Sequence, residues 1–356
     1  MTDSVLLTGI DGSNPLGFLA ALGTLKILHD RHMAGAMDVL PRLSWENDGC
    51  WRPRLWGVED IDAVFDVVLQ DRETWKSEPA LDLAYDENGQ LVRNVEENVD
   101  QLPPQAKSND EFHYPELFEV EDNHEKDKGK KDKQSKLVRD LKPRPEAFRE
   151  FLLDLVETRH ATYERSLAVA AAYGSEMAVD NNGNVKPTAF HFTAGQQMFL
   201  SMVRDLCRGI RRADIEEALL GPWKNVSKLP SLSWDAASPR IYALRASDPS
   251  QEKRGSVAGA NWLAFVALQF FPVVPIDSQV LTPCVEGQWK DSRFRWPLWR
   301  QPLSADSVAS LLRMGFFKKN NRMPWEEVGI EVVLESAISR SDQGGYGQFS
   351  PAAVIN

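Results

Sequence analysis

Residues 40–75, LPRLSWENDGCWRPRLWGVEDIDAVFDVVLQDRETW, set two periodicities side by side. The first half reads as two strands joined near Asp48 and Gly49, an Asp-Gly pair between segments rich in Leu and Trp, which signals a hairpin. From Val58 onward the spacing turns helical, with Val64, Phe65, Val68 and Leu69 on one side. A hairpin running directly into a helix, followed by helices and short strands in irregular order, predicts an α+β fold of mixed helices and short antiparallel strands.

Upstream, SVLLTG reads as a buried strand, and Ser13 or Asn14 before Pro15 marks a helix start with cap and first-turn proline in their favoured places. That helix runs to about His32. Downstream, residues 85–142 change to charged and polar side chains with few apolar anchors, acids giving way to lysines, and predict a mobile polar insertion. Three regions follow: an α+β N-terminal region over 1–84, the insertion over 85–142, and a helical and α+β region over 143–356. Within the last, the pattern predicts a long helix over 145–173 carrying Phe148, Phe151, Leu152, Leu155 and Val156, then a turn at DNNGNVKP. A helix over 194–212, capped by Thr193, comes next, with SLSWD and RIYALRA as strands, GANWLAFVALQFF as a buried helix and SADSVASLLRM as a surface helix.

At 356 residues and 42% hydrophobic, the chain can bury a substantial core. No apolar run approaches the roughly 20 residues of a membrane span, and the start lacks the basic region and cleavage site of a signal peptide, so the expected location is cytoplasmic with no membrane partner. Cys50, Cys207 and Cys284 share no metal-binding or redox spacing and read as small buried hydrophobes. A formal charge of -11 argues against a free-standing nucleic-acid binder, so any such contact is a local patch on an acidic body.

The glycine-bearing start GIDGSNPLGFLAALG has neither the spacing of a Walker loop nor that of a dinucleotide fingerprint. The structural reading is a capped helix whose Gly17, Ala20, Ala21 and Gly23 admit a close neighbour; the alternative is phosphate binding by amides around Gly12, Ser13 and Asn14. His29 and His32 lie three apart with no third ligand placed by sequence, the other histidines are isolated, and acidic pairs such as Asp60/Asp62 and Glu326/Glu327 fall where carboxylates favour a helix start. No hydrolase elbow or zincin motif appears. The residues therefore predict no catalytic group, no metal and no cofactor.

Cationic stripes are more informative. On the helix predicted over 194–212, Phe199, Met202, Val203, Leu206 and Ile210 form a dry face, whereas Arg204, Arg208, Arg211 and Arg212 gather opposite, spaced to follow a phosphate backbone. Gln196 and Gln197 could add hydrogen bonds; the bland alternative is a solvated face whose last-turn cations offset the helix dipole. In QWKDSRFRWPLWRQP, an extended backbone would point Arg293 and Arg295 one way and Phe294 and Trp296 the other. With Arg300, these guanidiniums beside Trp289, Trp296 and Trp299 could hold single-stranded backbone and stack bases, unless the tryptophans wedge the strand into the core. Lys318, Lys319 and Arg322 form a weaker third cluster.

Taken in order, GIDGSNPLGFLAALG, PTAFHFTAGQQMFL, SWDAASPRIYALRASDPS, GANWLAFVALQFFPV and FRWPLWRQPLSADSVASLL resemble proteins of subtype I-G (formerly I-U) CRISPR systems. Within these, the chain is most similar to the large-subunit (Csb-type or Csx-type) component of the effector complex. The resemblance covers about the first 30 residues and most of the chain from Lys186 to Leu312. It implies a non-catalytic role in RNA-guided surveillance, in which base pairing reads sequence and the protein supplies shape recognition and phosphate contacts. The implied partners are other CRISPR effector subunits, guide RNA and target DNA, with the helicase–nuclease as a further contact. Two alternatives stand beside it: a protein–protein adaptor or helicase–nuclease extension in the same defence system, and an enzyme with an unrecognised nucleotide site at residues 11–14.

Overall fold

The computed structural model describes residues 3–93, 137–158, 161–195, 197–237, 255–314, 325–340 and 346–355, leaving out the side chain of Trp289. The chain begins with β1 (Ser4–Leu6) and α1 (Pro15–Met33), then the hairpin β2 (Arg42–Asn47) and β3 (Trp51–Trp56), and α2 (Ile61–Trp75). Helices α3 (Pro145–Thr158) and α4 (Tyr163–Ala170) lead into the hairpin β4 (Gly174–Val179) and β5 (Val185–Pro187). Next come α5 (Phe199–Gly209), α6 (Arg212–Leu220) and α7 (Ala258–Val266), the last extended by a 3-10 turn to Phe270. The remainder is β6 (Val274–Ile276), β7 (Gln279–Leu281), β8 (Val285–Glu286), β9 (Arg293–Trp299), β10 (Leu303–Ser304), α8 (Ala305–Arg313), β11 (Ile330–Arg340), β12 (Gly347–Phe349) and β13 (Ala353–Ile355). Helices with small antiparallel sheets make this an α+β fold.

Two sheets meet α1 through Phe18. One runs β1-β3-β2-β10, with Arg42 opposite Trp56 and Asn47 opposite Trp51; in the other, β11 is central, pairing with β9, β12 and β13, and β8 adds to β9. Asn14 caps α1, its side chain accepting the Leu16 amide, and Pro15 occupies the first turn. Nearly every residue from Pro15 to His29 is buried whichever way it points, the pattern of a central helix and not of an amphipathic one. Phe18 sits 5.9 Å from both Trp45 of β2 and Trp296 of β9, so one aromatic side chain joins the helix to both sheets. α1 crosses α7 at Gly23, where a Cβ would lie 1.8 Å from the Leu263 carbonyl oxygen. Residues of the 1–84 and 143–356 stretches thus share one core.

Several sequence expectations change. The helix expected over 145–173 is two helices, and the break turns Arg165 and Ser166 of α4 toward Glu78. The helix expected over 194–212 starts at Phe199: the Thr193 hydroxyl engages His191, and the amide of Phe199 is capped from outside by Asp140 Oδ1 at 3.2 Å. It ends at Gly209, where Ile210 turns extended, and Arg211 begins the next helix by donating its amide to Asp214. SLSWD is not a strand; Leu232 donates to Asn261 Oδ1 and the indole of Trp234 to the Phe190 carbonyl. Both ends of the 85–142 stretch belong to the body, Tyr85 and Val138 exchanging backbone hydrogen bonds at 2.9 and 2.8 Å, while residues 94–136 lie outside the described residues. RIYALRA, Gln196, Lys318, Lys319 and Arg322 also lie outside them. No helix among the described residues is long and apolar enough to cross a membrane.

Candidate nucleic-acid interface

α2 is the element that organises the charged surface. Asp60 caps it by accepting the Ala63 amide at 2.8 Å, and Val64, Phe65, Val68 and Trp75 bury one side. On that side Asp71 accepts the Trp75 indole N–H at 2.9 Å and meets Arg165 at 3.3 Å, while the Arg165 guanidinium lies 4.5 Å over the Trp75 ring. Arg165 also bonds the fully buried Glu78 at 2.7 Å. Two carboxylates thus share one guanidinium, and Asp71 is pushed up to about 6 by burial, which outweighs the Arg165 charge and the indole hydrogen bond.

The adjoining face of α2 meets the C-terminal end of α5. Arg72 Nη1 donates to the Ile210 carbonyl at 2.7 Å and to that of Cys207 at 3.4 Å, both among the carbonyls a helix end leaves without intrahelical donors. This clamp leaves an open concavity of about 620 Å³ between the helices, lined by Leu69, Gln70, Arg72, Glu73 and Lys76 from α2 and by residues 208–212 from the α5–α6 junction. Five cations, Arg72, Lys76, Arg208, Arg211 and Arg212, border it with one carboxylate, Glu73. Glu73 is held below the usual carboxylate range, first by the hydrogen bond from Lys76. Arg208 and Arg211 are exposed. Cys207 beneath them is no ready nucleophile, since burial pushes its thiol up to about 11.

The predicted site residues divide accordingly. Arg208, Arg211 and Arg212 come together at the groove, but Arg212 is held by Asp62, by Asp66 at 2.8 Å and by Glu216 at 2.9 Å. Arg204 is turned away, only 12% exposed, onto Asp82 at 2.5 Å and the Leu81 carbonyl at 3.3 Å. The expected alternation over 293–296 is present on β9, yet Arg293 and Arg295 both end on Glu335 of β11, at 2.9 and 2.5 Å, and Arg295 also on Glu286. Burial would raise the Glu335 carboxyl; Arg295 and then Arg293 hold it below its ordinary range. Trp296 and Trp299 are core residues, 0% and 1% exposed, their indoles donating to the carbonyls of Gly12 and Leu43. They do not present a stacking surface, because the wedge reading prevails. Arg300 stands exposed on Glu331 at 2.9 Å.

The loop at the start of α1 uses its own donors. The Gly12 amide donates to the Trp51 carbonyl, the Ser13 amide to Asp11 Oδ1 and the Asn14 amide to the Asp11 carbonyl. Asn14 Nδ2 holds Asp235 at 2.7 Å, which sets a second carboxylate beside the loop. Gly12 itself is required by packing, a Cβ there lying 2.5 Å from the Trp45 ring. These contacts favour the capped helix over the phosphate cradle.

A buried acid–base pair lies elsewhere. His191 Nε2 sits 2.7 Å from Asp140 Oδ1 and 3.0 Å from Thr193 Oγ1. Both partners meet the same ring nitrogen, so the imidazole does not stand between carboxylate and hydroxyl as a nucleophile relay requires. Burial would raise Asp140, but His191 and the amides of Leu141 and Phe199 hold it low, suited to capping α5. Among the described residues, no three His, Cys, Asp or Glu side chains gather as a metal-binding group.

Arg72 and Lys76 were not among the candidates drawn from the sequence. Their four-residue spacing on α2 is visible there, but nothing local shows that this turn faces α5. No protein-family model matches the chain, and no curated protein is detectably similar to it.

Proposed function

We propose that this chain is a non-catalytic, cytoplasmic subunit of a type I CRISPR RNA-guided DNA surveillance complex, contacting guide RNA or target DNA by its backbone and docking on other effector subunits. The carrying observation is the groove between α2 and the α5–α6 junction, where Arg72, Lys76, Arg208 and Arg211 meet Glu73, with Arg212 and its carboxylates at the border, on a chain whose formal charge is -11. Such local concentration is what polyanion binding by an acidic body needs. The resemblance at GIDGSNPLGFLAALG and FRWPLWRQPLSADSVASLL supplies the setting, in which base pairing carries sequence and the protein carries phosphate contacts.

The test is co-expression with the neighbouring effector genes and a guide RNA. The chain is expected in a particle that contains the guide, and R208E/R211E is expected to weaken target-DNA binding by that particle at least about tenfold near 0.1 M salt, the loss shrinking as salt rises. A particle that assembles without the chain, or full binding by the double variant, would refute this reading.

A protein–protein adaptor role has its own support. Val274, Ile276 and Leu281 share one face of the β6–β7 hairpin and are 46–53% exposed, and Met177 of the neighbouring β4 is 66% exposed. Nuclease-resistant, salt-insensitive co-purification with another subunit, abolished by I276D, is the result that would favour it.

A further inference from the structure

We propose that the groove grips a phosphodiester backbone without touching bases, along Lys76, Arg72, Arg208 and Arg211, and that the carboxylates gathered on Arg212 form the stop at which this path ends. The inference rests on the nucleic-acid reading above and specifies how that site works.

The lining explains the first part. Among the described residues, no aromatic side chain borders the groove; its apolar contribution is the aliphatic pair Leu69 and Ile210. Splayed bases are held by stacking on aromatic rings, and a groove without them has cations as its attraction for a polynucleotide. The cations come from two helix ends, locked in register by the Arg72 guanidinium on the Ile210 and Cys207 carbonyls. Phosphate contacts of this kind position a polynucleotide without reading it. Arg211 is exposed and Lys76 is 42% exposed, so both can reach an approaching phosphate.

The second part follows from Arg212. It borders the groove, yet Asp62, Asp66 and Glu216 surround it, and its guanidinium also covers the Phe65 ring at 5.1 Å. Three carboxylates on one guanidinium give this end of the groove a negative excess. A phosphate chain following the cations from Lys76 therefore meets repulsion just beyond Arg211. On this proposal the acidic cluster sets a terminus for the bound segment.

The isolated full chain tests this through fluorescence polarisation with labelled oligonucleotides of two unrelated sequences, single-stranded and duplex, over a salt series. Equal affinity for both sequences is expected, with a slope of log K against log salt of about -2 to -3. K76A/R211A should flatten that slope by about 2, whereas D62N/D66N, by releasing Arg212, should tighten binding about threefold and steepen the slope by about 1. K76Q/R211Q, which keeps side-chain length, should behave as K76A/R211A does. A sequence preference, an unchanged slope in both neutralised variants, or competition by polyglutamate as strong as by DNA of equal charge would overturn the backbone grip. Unchanged or weaker binding by D62N/D66N would overturn the stop. Free-chain binding of the expected kind with no place in a guide-RNA particle would leave this inference standing while the proposed function fell; the reverse pattern would do the opposite.

Discussion

Replacing Asp71 by asparagine isolates the electrostatics of the buried side of α2. Asp71 shares Arg165 with Glu78 in the interior, and burial moves its carboxyl from 3.8 to about 6. Below 3.8 the carboxyl is protonated in both folded and unfolded chains and contributes no pH dependence. Between 3.8 and about 6 the folded protein keeps a proton that the unfolded chain releases, so stability falls as pH rises, and above about 6 the loss is complete. A displacement of 3.8 to about 6 corresponds to about 3 kcal/mol in all, at about 1.4 kcal/mol for each tenfold change. Most of that range is accessible: from about pH 4.5 to about pH 7.5, the linkage relation gives a loss of about 2 kcal/mol. The asparagine of the variant can still accept the Trp75 indole but takes up no proton. Urea unfolding of both proteins at the two pH values should therefore show the wild type losing about 2 kcal/mol relative to Asp71→Asn on going to the higher pH. Parallel pH profiles would refute the account, and a wild type that gains relative to the variant would mean that the Arg165 charge outweighs burial.

Two further substitutions address packing and charge in the core. Gly23→Ala places a Cβ against the Leu263 carbonyl at the α1–α7 crossing, and a loss of about 3 kcal/mol or more is expected in chemical denaturation, since neither backbone can yield without moving its helix. Glu335→Gln removes one of the carboxylates that hold Arg295, 8% exposed, and should cost about 3 kcal/mol at neutral pH. The Glu335 contribution should also fade on acidification, because its depressed carboxyl protonates more readily in the unfolded chain; a variant deficit that persists unchanged at low pH would contradict this.

Much of the fold was legible because it is built from short-range signals. Asn14 before Pro15 caps α1, the Asp48-Gly49 pair turns β2 into β3, and Gly49 takes the positive φ of 79° that such a turn requires. Alternation over 293–296 gave β9 and the shared side of Arg293 and Arg295. The helix after Thr193 was misplaced because its cap is Asp140, 59 residues earlier in the chain, and no pattern within a helical window contains it. The break at Ile210 was likewise hidden, since apolar spacing runs on through it while Arg72 takes the carbonyls at the helix end.

By itself, then, the sequence determined where chain segments turn, which faces are apolar and how the formal charge divides among them, because each depends on neighbours a few residues apart. Only the tertiary structure decided which cations act together. Arg212 finds Asp62 across 150 positions and Arg204 finds Asp82 across 122, while Lys76 and Arg72 join Arg208 and Arg211 from another helix. A guanidinium's environment is set by whatever carboxylate, carbonyl or solvent packing brings within a few ångströms of it, and that distance is a property of the folded chain.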